Sequence, residues 1–253
     1  MNRRNFLKIA SGLTAGACAV DLADAATWQN FAPLTANTAG QWNEVTSVIL
    51  PGIKKINGIM SGVYHSVALR SDGIVFGVGG NGYGQLGNLT TVNQSSFISA
   101  IGLSNIIAIA GGAYHSLALR SDGIVFACGS NNIGELGIGN TTNPSSFVSS
   151  IGLSNIIAIA GGYNHSLALR FDGVMFASGY NSQGELGIGS TVNQSSFVSS
   201  IGMSNITTIT SGYNDSLALR SDGIMFACGY NNYGELGIGN IVNQSSFVQC
   251  IGV

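Results

Sequence analysis

Three histidines, His65, His115 and His165, recur at intervals of fifty residues, and Asp215 stands in the fourth place. Imidazoles and a carboxylate repeated in this way invite a metal-site reading. Zinc holds its ligand nitrogens within roughly 3.5 Å of one another, and equivalent side chains of successive repeats lie much farther apart. Exchanging His for Asp also suits a shared hydrogen-bonding role better than a shared ligand role. These residues are therefore read as structural hydrogen-bonding groups of the turn they occupy. Gln85, Glu135, Glu185 and Glu235 recur with the same spacing inside Gly-Glu/Gln-Leu-Gly. A phosphate loop lies between a strand and a helix N-terminus, whereas this stretch lies between strands and occurs four times. Gln85 carries no charge, so what the four share is a side-chain oxygen acceptor, which argues against paired catalytic acids. Arg70, Arg120, Arg170 and Arg220 each precede Asp72, Asp122, Asp172 and Asp222 by two residues. They read as local pairs across a hairpin turn, each worth about 0–1 kcal/mol. Every candidate occurs three or four times, whereas an active site is singular, and no nucleophile–base or metal constellation stands apart. No catalytic residue, metal or cofactor is expected.

The elements that position these residues form a repeat of fifty, at about 61–110, 111–160, 161–210 and 211–253. A fixed period of this size marks a repeat architecture. In the second copy, four short apolar runs are separated by turn residues: Ile106–Ala110 (A), Ser116–Arg120 (B), Ile124–Gly129 (C) and Ser145–Ile151 (D). They are too short for helices and rich in Val, Ile, Leu and Phe, so they read as strands. In B, Leu117 and Leu119 face one way and Ser116, Ala118 and Arg120 the other. Ser121-Asp122-Gly123 is a hairpin turn in which glycine supplies a positive φ. Four antiparallel strands per repeat, arranged radially, give β-propeller blades. The fold class is all-β.

The repeat Gly-x-x-His-Ser-x-Ala-Leu-Arg-x-Asp-Gly, followed by an aromatic residue and Gly-x-Asn-x-x-Gly-Glu/Gln-Leu-Gly, resembles that of the regulator of chromosome condensation family. The resemblance covers about residues 45–253. Two features depart from the family pattern. The tryptophan often found before the Gly-x-Asn segment is replaced by Val78, Cys128, Ser178 and Cys228. The family usually has seven repeats, and this chain has four. The expectation is an open arc of four blades, or a ring closed by self-association through its exposed strand edges. Exported bacterial relatives with such a propeller include an inhibitor of β-lactamases, and the family name implies guanine-nucleotide exchange.

Several of the differences between copies fall in two loops. All eight tyrosines lie there: Tyr64, Tyr114, Tyr163 and Tyr213 in the A–B turns, and Tyr83, Tyr180, Tyr230 and Tyr233 in the C–D loops. In an up-and-down meander these two connections emerge on one face. Tyrosine is large, rigid and amphipathic, and interfaces favour it. The expected function is non-enzymatic binding of a protein partner through this tyrosine-rich face. Binding of envelope material or carbohydrate is the second reading, and guanine-nucleotide exchange, from the resemblance alone, is the third.

Met1–Ala25 reads as an export signal. Arg3-Arg4-Asn5-Phe6-Leu7-Lys8 looks like a twin-arginine motif, and Ala23-Asp24-Ala25 fits a small-x-small cleavage site. A general secretory signal and lipid anchoring at Cys18 are the competing readings. Residues 26–44, with Trp28 and Trp42, read as a linker or cap, and 45–253 as the repeat domain. The expected compartment is periplasmic or extracellular. No other stretch has the roughly 18 apolar residues of a membrane span. Nine Lys and Arg against eleven Asp and Glu give a net charge of −2, which argues against a nucleic-acid partner. Cys128 and Cys228 lie two repeats apart, too far to form a disulfide, and read as buried apolar fillers. Cys250 is left for pairing between chains.

Overall fold

The computed structural model describes residues 54–252. The export segment Met1–Ala25 with Arg3, Arg4 and Cys18, the linker 26–44 and the start of the repeat domain, 45–53, lie outside the described residues. Four antiparallel sheets follow one another along the chain, each a meander in sequence order. Blade 1 is β1 (Ile56–Ser61), β2 (His65–Arg70), β3 (Val75–Gly79) and β4 (Gln94–Ser99). Blade 2 is β5 (Ile106–Gly111), β6 (His115–Arg120), β7 (Val125–Gly129) and β8 (Val148–Ser149). Blade 3 is β9 (Ile156–Gly161), β10 (His165–Arg170), β11 (Met175–Gly179) and β12 (Gln194–Ser199). Blade 4 is β13 (Ile206–Ser211), β14 (Asp215–Arg220), β15 (Met225–Gly229) and β16 (Gln244–Gln249).

Strands A, B and C fall within a residue or so of where the sequence places them. In blades 1, 3 and 4 the fourth strand starts one residue and stops two residues before the positions equivalent to Ser145–Ile151, and in blade 2 it shrinks to Val148–Ser149. Pro144 explains the shortening. Gln94, Gln194 and Gln244 each pair with a glycine of the third strand. Pro144 still accepts a hydrogen bond from the Gly129 amide at 3.0 Å, but it has no N–H to return.

The hairpin between the second and third strands is fixed by local chemistry. In blade 2 the Gly123 amide donates to Arg120 at 2.9 Å, and Gly123 adopts φ 80°, a three-residue turn with glycine in the left-handed position. Each arginine before the turn forms a pair with the aspartate after it, Arg120 Nη2 lying 2.8 Å from Asp122. The same guanidinium lies 4.9 Å from the centre of the Phe126 ring, and Arg70, Arg170 and Arg220 repeat the arrangement over Phe76, Phe176 and Phe226. Each arginine therefore ties the turn to the neighbouring strand as well as to its aspartate.

The core lies between blades. Leu119, Val125, Ile156, Ala168 and Phe197 form one cluster joining blades 2 and 3. Val67, Leu69 and Val75 meet Ala118, Cys128 and Phe147 between blades 1 and 2. Leu167, Leu169 and Met175 meet Ile206, Ile209 and Ala218 between blades 3 and 4. Strand alternation is the cause: the leucines of each second strand face the following blade, and the serine and alanine face the preceding one. Fully burying a phenylalanine between blades contributes about 2 kcal/mol. Among the described residues blades 1 and 4 do not pair with each other. Phe97, the blade-1 equivalent of Phe147 and Phe197, is exposed, and among the described residues nothing lies within 4 Å of the place where a side chain would start at Gly237 in blade 4.

Candidate tyrosine-rich face and interblade contacts

The A–B turns string together along one edge of the array. The Val63 amide donates to Ala113, Ala113 to Tyr163 and Tyr163 to Tyr213, at 3.0, 3.2 and 3.2 Å. This backbone chain brings side chains of successive blades within aromatic contact. Tyr64 and Tyr114 have ring centres 5.9 Å apart, Tyr114 and Tyr163 5.9 Å, and Tyr163 and Tyr213 4.1 Å in a stacked arrangement. The C–D loop of blade 1 adds Tyr83, 5.5 Å from Tyr114. Five tyrosines from four blades thus form one continuous row. Tyr64, Tyr83 and Tyr213 are exposed, and Tyr114 and Tyr163 are partly covered by their neighbours. Hydrogen bonding to Tyr163 pushes the Tyr114 phenol up to about 12, and it raises the Tyr213 phenol too. Both phenols remain protonated near neutral pH.

The other three tyrosines do not join this row directly. Tyr230 and Tyr233 form their own pair in the C–D loop of blade 4, 6.2 Å between centres. Tyr180 is hydrogen-bonded to Ser182. Tyr230 nonetheless lines one depression together with Tyr213, Asn214, Asp215 and Glu235, so the A–B and C–D loops of a blade do meet on one face.

The histidines act between blades, which corrects their assignment to the A–B turn. His65, His115 and His165 each place Nε2 3.0 Å from the hydroxyl of Ser116, Ser166 and Ser216 in the next blade. The serines of Ser116 and Ser216 donate in turn to the carbonyls of Gln85 and Glu185, both at 2.7 Å. A hydroxyl that donates there accepts from the imidazole, which fixes the tautomer with hydrogen on Nε2. Nδ1 of His65 and of His115 is buried with no partner. Burial lowers the three imidazoles to about 4, 3 and 4 in chain order. Among the described residues no three His, Cys, Asp or Glu side chains are grouped to hold a metal ion. Asp215, in blade 4, has no blade after it among the described residues. Burial, with a contribution from Glu235, raises its carboxyl.

Gln85, Glu135, Glu185 and Glu235 each accept the amide two residues earlier through a side-chain oxygen, at 3.0, 2.9, 2.9 and 3.0 Å. Asn81, Asn131, Asn181 and Asn231 are hubs of the C–D loop that sequence reasoning passed over as parts of a motif. The Asn131 amide group donates to the carbonyls of Asn140 and Thr142, and its oxygen accepts from Leu136. A buried asparagine four residues before the acceptor position, in every repeat, was the available signal.

The cysteines are not mere fillers. Cys128 and Cys228 thiols lie 3.4 Å from the carbonyls of Gln85 and Glu185 in the preceding blade, and Ser178 donates equivalently to Glu135. Cys250 is buried, and its thiol contacts the Leu236 carbonyl at 3.1 Å, where Ser150 and Ser200 donate in their own blades. That corrects the expectation that Cys250 pairs between chains, because burial hides its sulfur.

Radially repeated four-stranded meanders with their core between the blades define a β-propeller architecture. The chain belongs to the regulator of chromosome condensation (RCC1) repeat family. One repeat profile of that family matches residues 56–85, 106–134, 156–185 and 206–235, and a second matches 72–119 and 122–169. Among solved structures, human WBSCR16 is similar with TM-score 0.70 and 24% identity, over 80% of this chain and 54% of that one. Prp20p from Saccharomyces cerevisiae, described with its binding properties to Gsp1p and histones, has TM-score 0.70 and 22% identity, over 79% and 51%. Yeast RCC1 (Prp20) in its structure with Kap60 has TM-score 0.71 and 21% identity, over 79% and 49%. These likenesses show the fold. The chain spans about half the length of these structures. No curated protein matches the sequence.

Proposed function

We propose that this chain is an exported binding module that recognises a protein partner through the tyrosine row Tyr64–Tyr83–Tyr114–Tyr163–Tyr213. The observation that carries the reading is the continuity of that row over four blades, on loops held by a hydrogen-bonded backbone. Rigid aromatic groups on a fixed scaffold lose little entropy on binding and supply both apolar area and hydroxyl groups. No catalytic step is assigned to the face.

The test uses the chain as bait against envelope and culture-supernatant fractions of its own cells, beside a bait with Tyr64, Tyr114, Tyr163 and Tyr213 changed to Ala. A protein held by the first bait and lost from the second supports the reading. Polysaccharide in its place favours envelope binding. Equal retention by both baits removes the tyrosine row from the argument. Export is tested separately by changing Arg3 and Arg4 to Lys, which is expected to trap the precursor inside the cell.

A further inference from the structure

Every internal boundary between blades is built from the same small set of contacts. The rings of Phe147, Phe197 and Phe247 sit on Gly87, Gly137 and Gly187 of the preceding blade, so closely that any Cβ there would overlap them. The backbone of Ser145, Ser195 and Ser245 sits on Gly84, Gly134 and Gly184 in the same way. Amides of Leu89, Gly139 and Gly189 donate to the carbonyls of those serines at 2.9, 2.8 and 2.7 Å.

At the two ends of the array the halves of this boundary are present but apart. Gly237 has φ 62°, the same as Gly137 and Gly187, and Gly234 has φ 85°, yet among the described residues nothing lies within 4 Å of either side-chain position. Leu219, on the same face of blade 4, is 38% exposed, against 0% for Leu119 and Leu169. Blade 1 carries the matching knob. Phe97 is 57% exposed against 8% and 5% for Phe147 and Phe197, and Ile59 is 82% exposed against 8% for Ile209.

We propose that the blade-1 face of one copy of this chain docks on the blade-4 face of a second copy, with Phe97 seated on Gly237. The occupant is another copy because each exposed face repeats one half of a boundary that the chain builds three times within itself. The contact is heterologous, so it closes a ring where the rotation allows and otherwise extends. Two positions make the seam weaker than an internal boundary. Asp215 stands where a histidine would donate, so the Ser66 hydroxyl of the second copy becomes the donor and the carboxylate the acceptor. Val78 stands where Cys128, Ser178 and Cys228 reach the preceding blade's carbonyl, so that hydrogen bond is missing. Association is therefore reversible and depends on concentration.

The experiment is analytical ultracentrifugation of the chain over a wide range of concentration, with Phe97→Glu and Gly237→Asn variants. Asparagine is chosen at 237 because it tolerates positive φ better than other side chains. The unaltered chain is expected to gain mass as concentration rises. Each variant alone is expected to weaken association about thirtyfold or more while keeping the far-ultraviolet circular dichroism of the unaltered chain. Mixed, the two variants are expected to form a one-to-one pair and stop there, since Phe97→Glu keeps its socket and Gly237→Asn keeps its knob. Three results overturn the proposal. One is an unaltered chain that stays monomeric at every concentration. Another is association that either variant leaves untouched. The third is loss of monomer stability in Phe97→Glu with no change in mass, which assigns the cover over Phe97 to the chain's own N-terminal residues.

Discussion

Mild acid is expected to unfold the blade array through its three buried histidines. His65, His115 and His165 are neutral in the fold, lowered by burial to about 4, 3 and 4, whereas an unfolded histidine titrates near 6.5. A folded pKa below the unfolded one means that the unfolded chain takes up protons first, so stability is full above 6.5 and falls as the pH drops below it. At pH 5 each unfolded histidine gains about 2 kcal/mol from protonation that the fold does not share, and three give about 6 kcal/mol. A domain stability of about 5–15 kcal/mol leaves little after that loss. Near pH 5.5 the difference approaches three protons, a slope of about 4 kcal/mol per pH unit. The Arg-paired aspartates have lowered pKa values and weaken the fold only below their unfolded value of 3.8, outside this window. Asp215 and Glu185 are raised by burial and work in the opposite sense, favouring the fold as they protonate. Urea denaturation followed by far-ultraviolet circular dichroism between pH 7.5 and 5 measures the slope. His115→Gln, whose amide can still reach Ser166, is expected to remove about one proton from it. A slope below one proton over pH 6.5 to 5, or no change in His115→Gln, would refute the neutral-histidine argument.

Two further outcomes test packing and pairing. Gly137→Ala is expected to destabilise the fold by about 3 kcal/mol, since the Cβ meets the Phe197 ring and the backbone stays left-handed. Gly237→Ala shares the φ but meets nothing among the described residues, so in dilute solution it is expected to cost only about 1 kcal/mol for the backbone. Equal losses in denaturation would count against the interblade socket. Pro144→Gln restores the missing donor in blade 2 and is expected to lengthen β8 towards the six residues of β12. Hydrogen exchange reads this as slower exchange of the amides from 144 to 147, and unchanged exchange would mean that something other than Pro144 sets the end of the strand.

Much of the blade was legible because its determinants are local. Leu117 and Leu119 alternate with Ser116 and Ala118, so strand and facing follow from a period of two. Gly123 permits one kind of turn, and the Gln85-for-Glu exchange showed that an oxygen acceptor was needed, whose donor lies two residues away. The sequence by itself therefore determined the strands, the turns, the four-fold repeat and the gathering of tyrosines into two kinds of loop. It did not determine where His115 points its hydrogen bond, because Ser166 lies fifty-one residues on and a repeat of similar copies gives the same pattern for bonds within a blade and bonds between blades. For the same reason Cys128 looked like a filler until Gln85 of the preceding blade was placed against it. Only the tertiary structure decided which blade faces are covered by a neighbour among the described residues. Phe97 and Phe147 occupy equivalent positions in sequence, and one is exposed while the other is buried because a blade precedes the second among the described residues and none precedes the first.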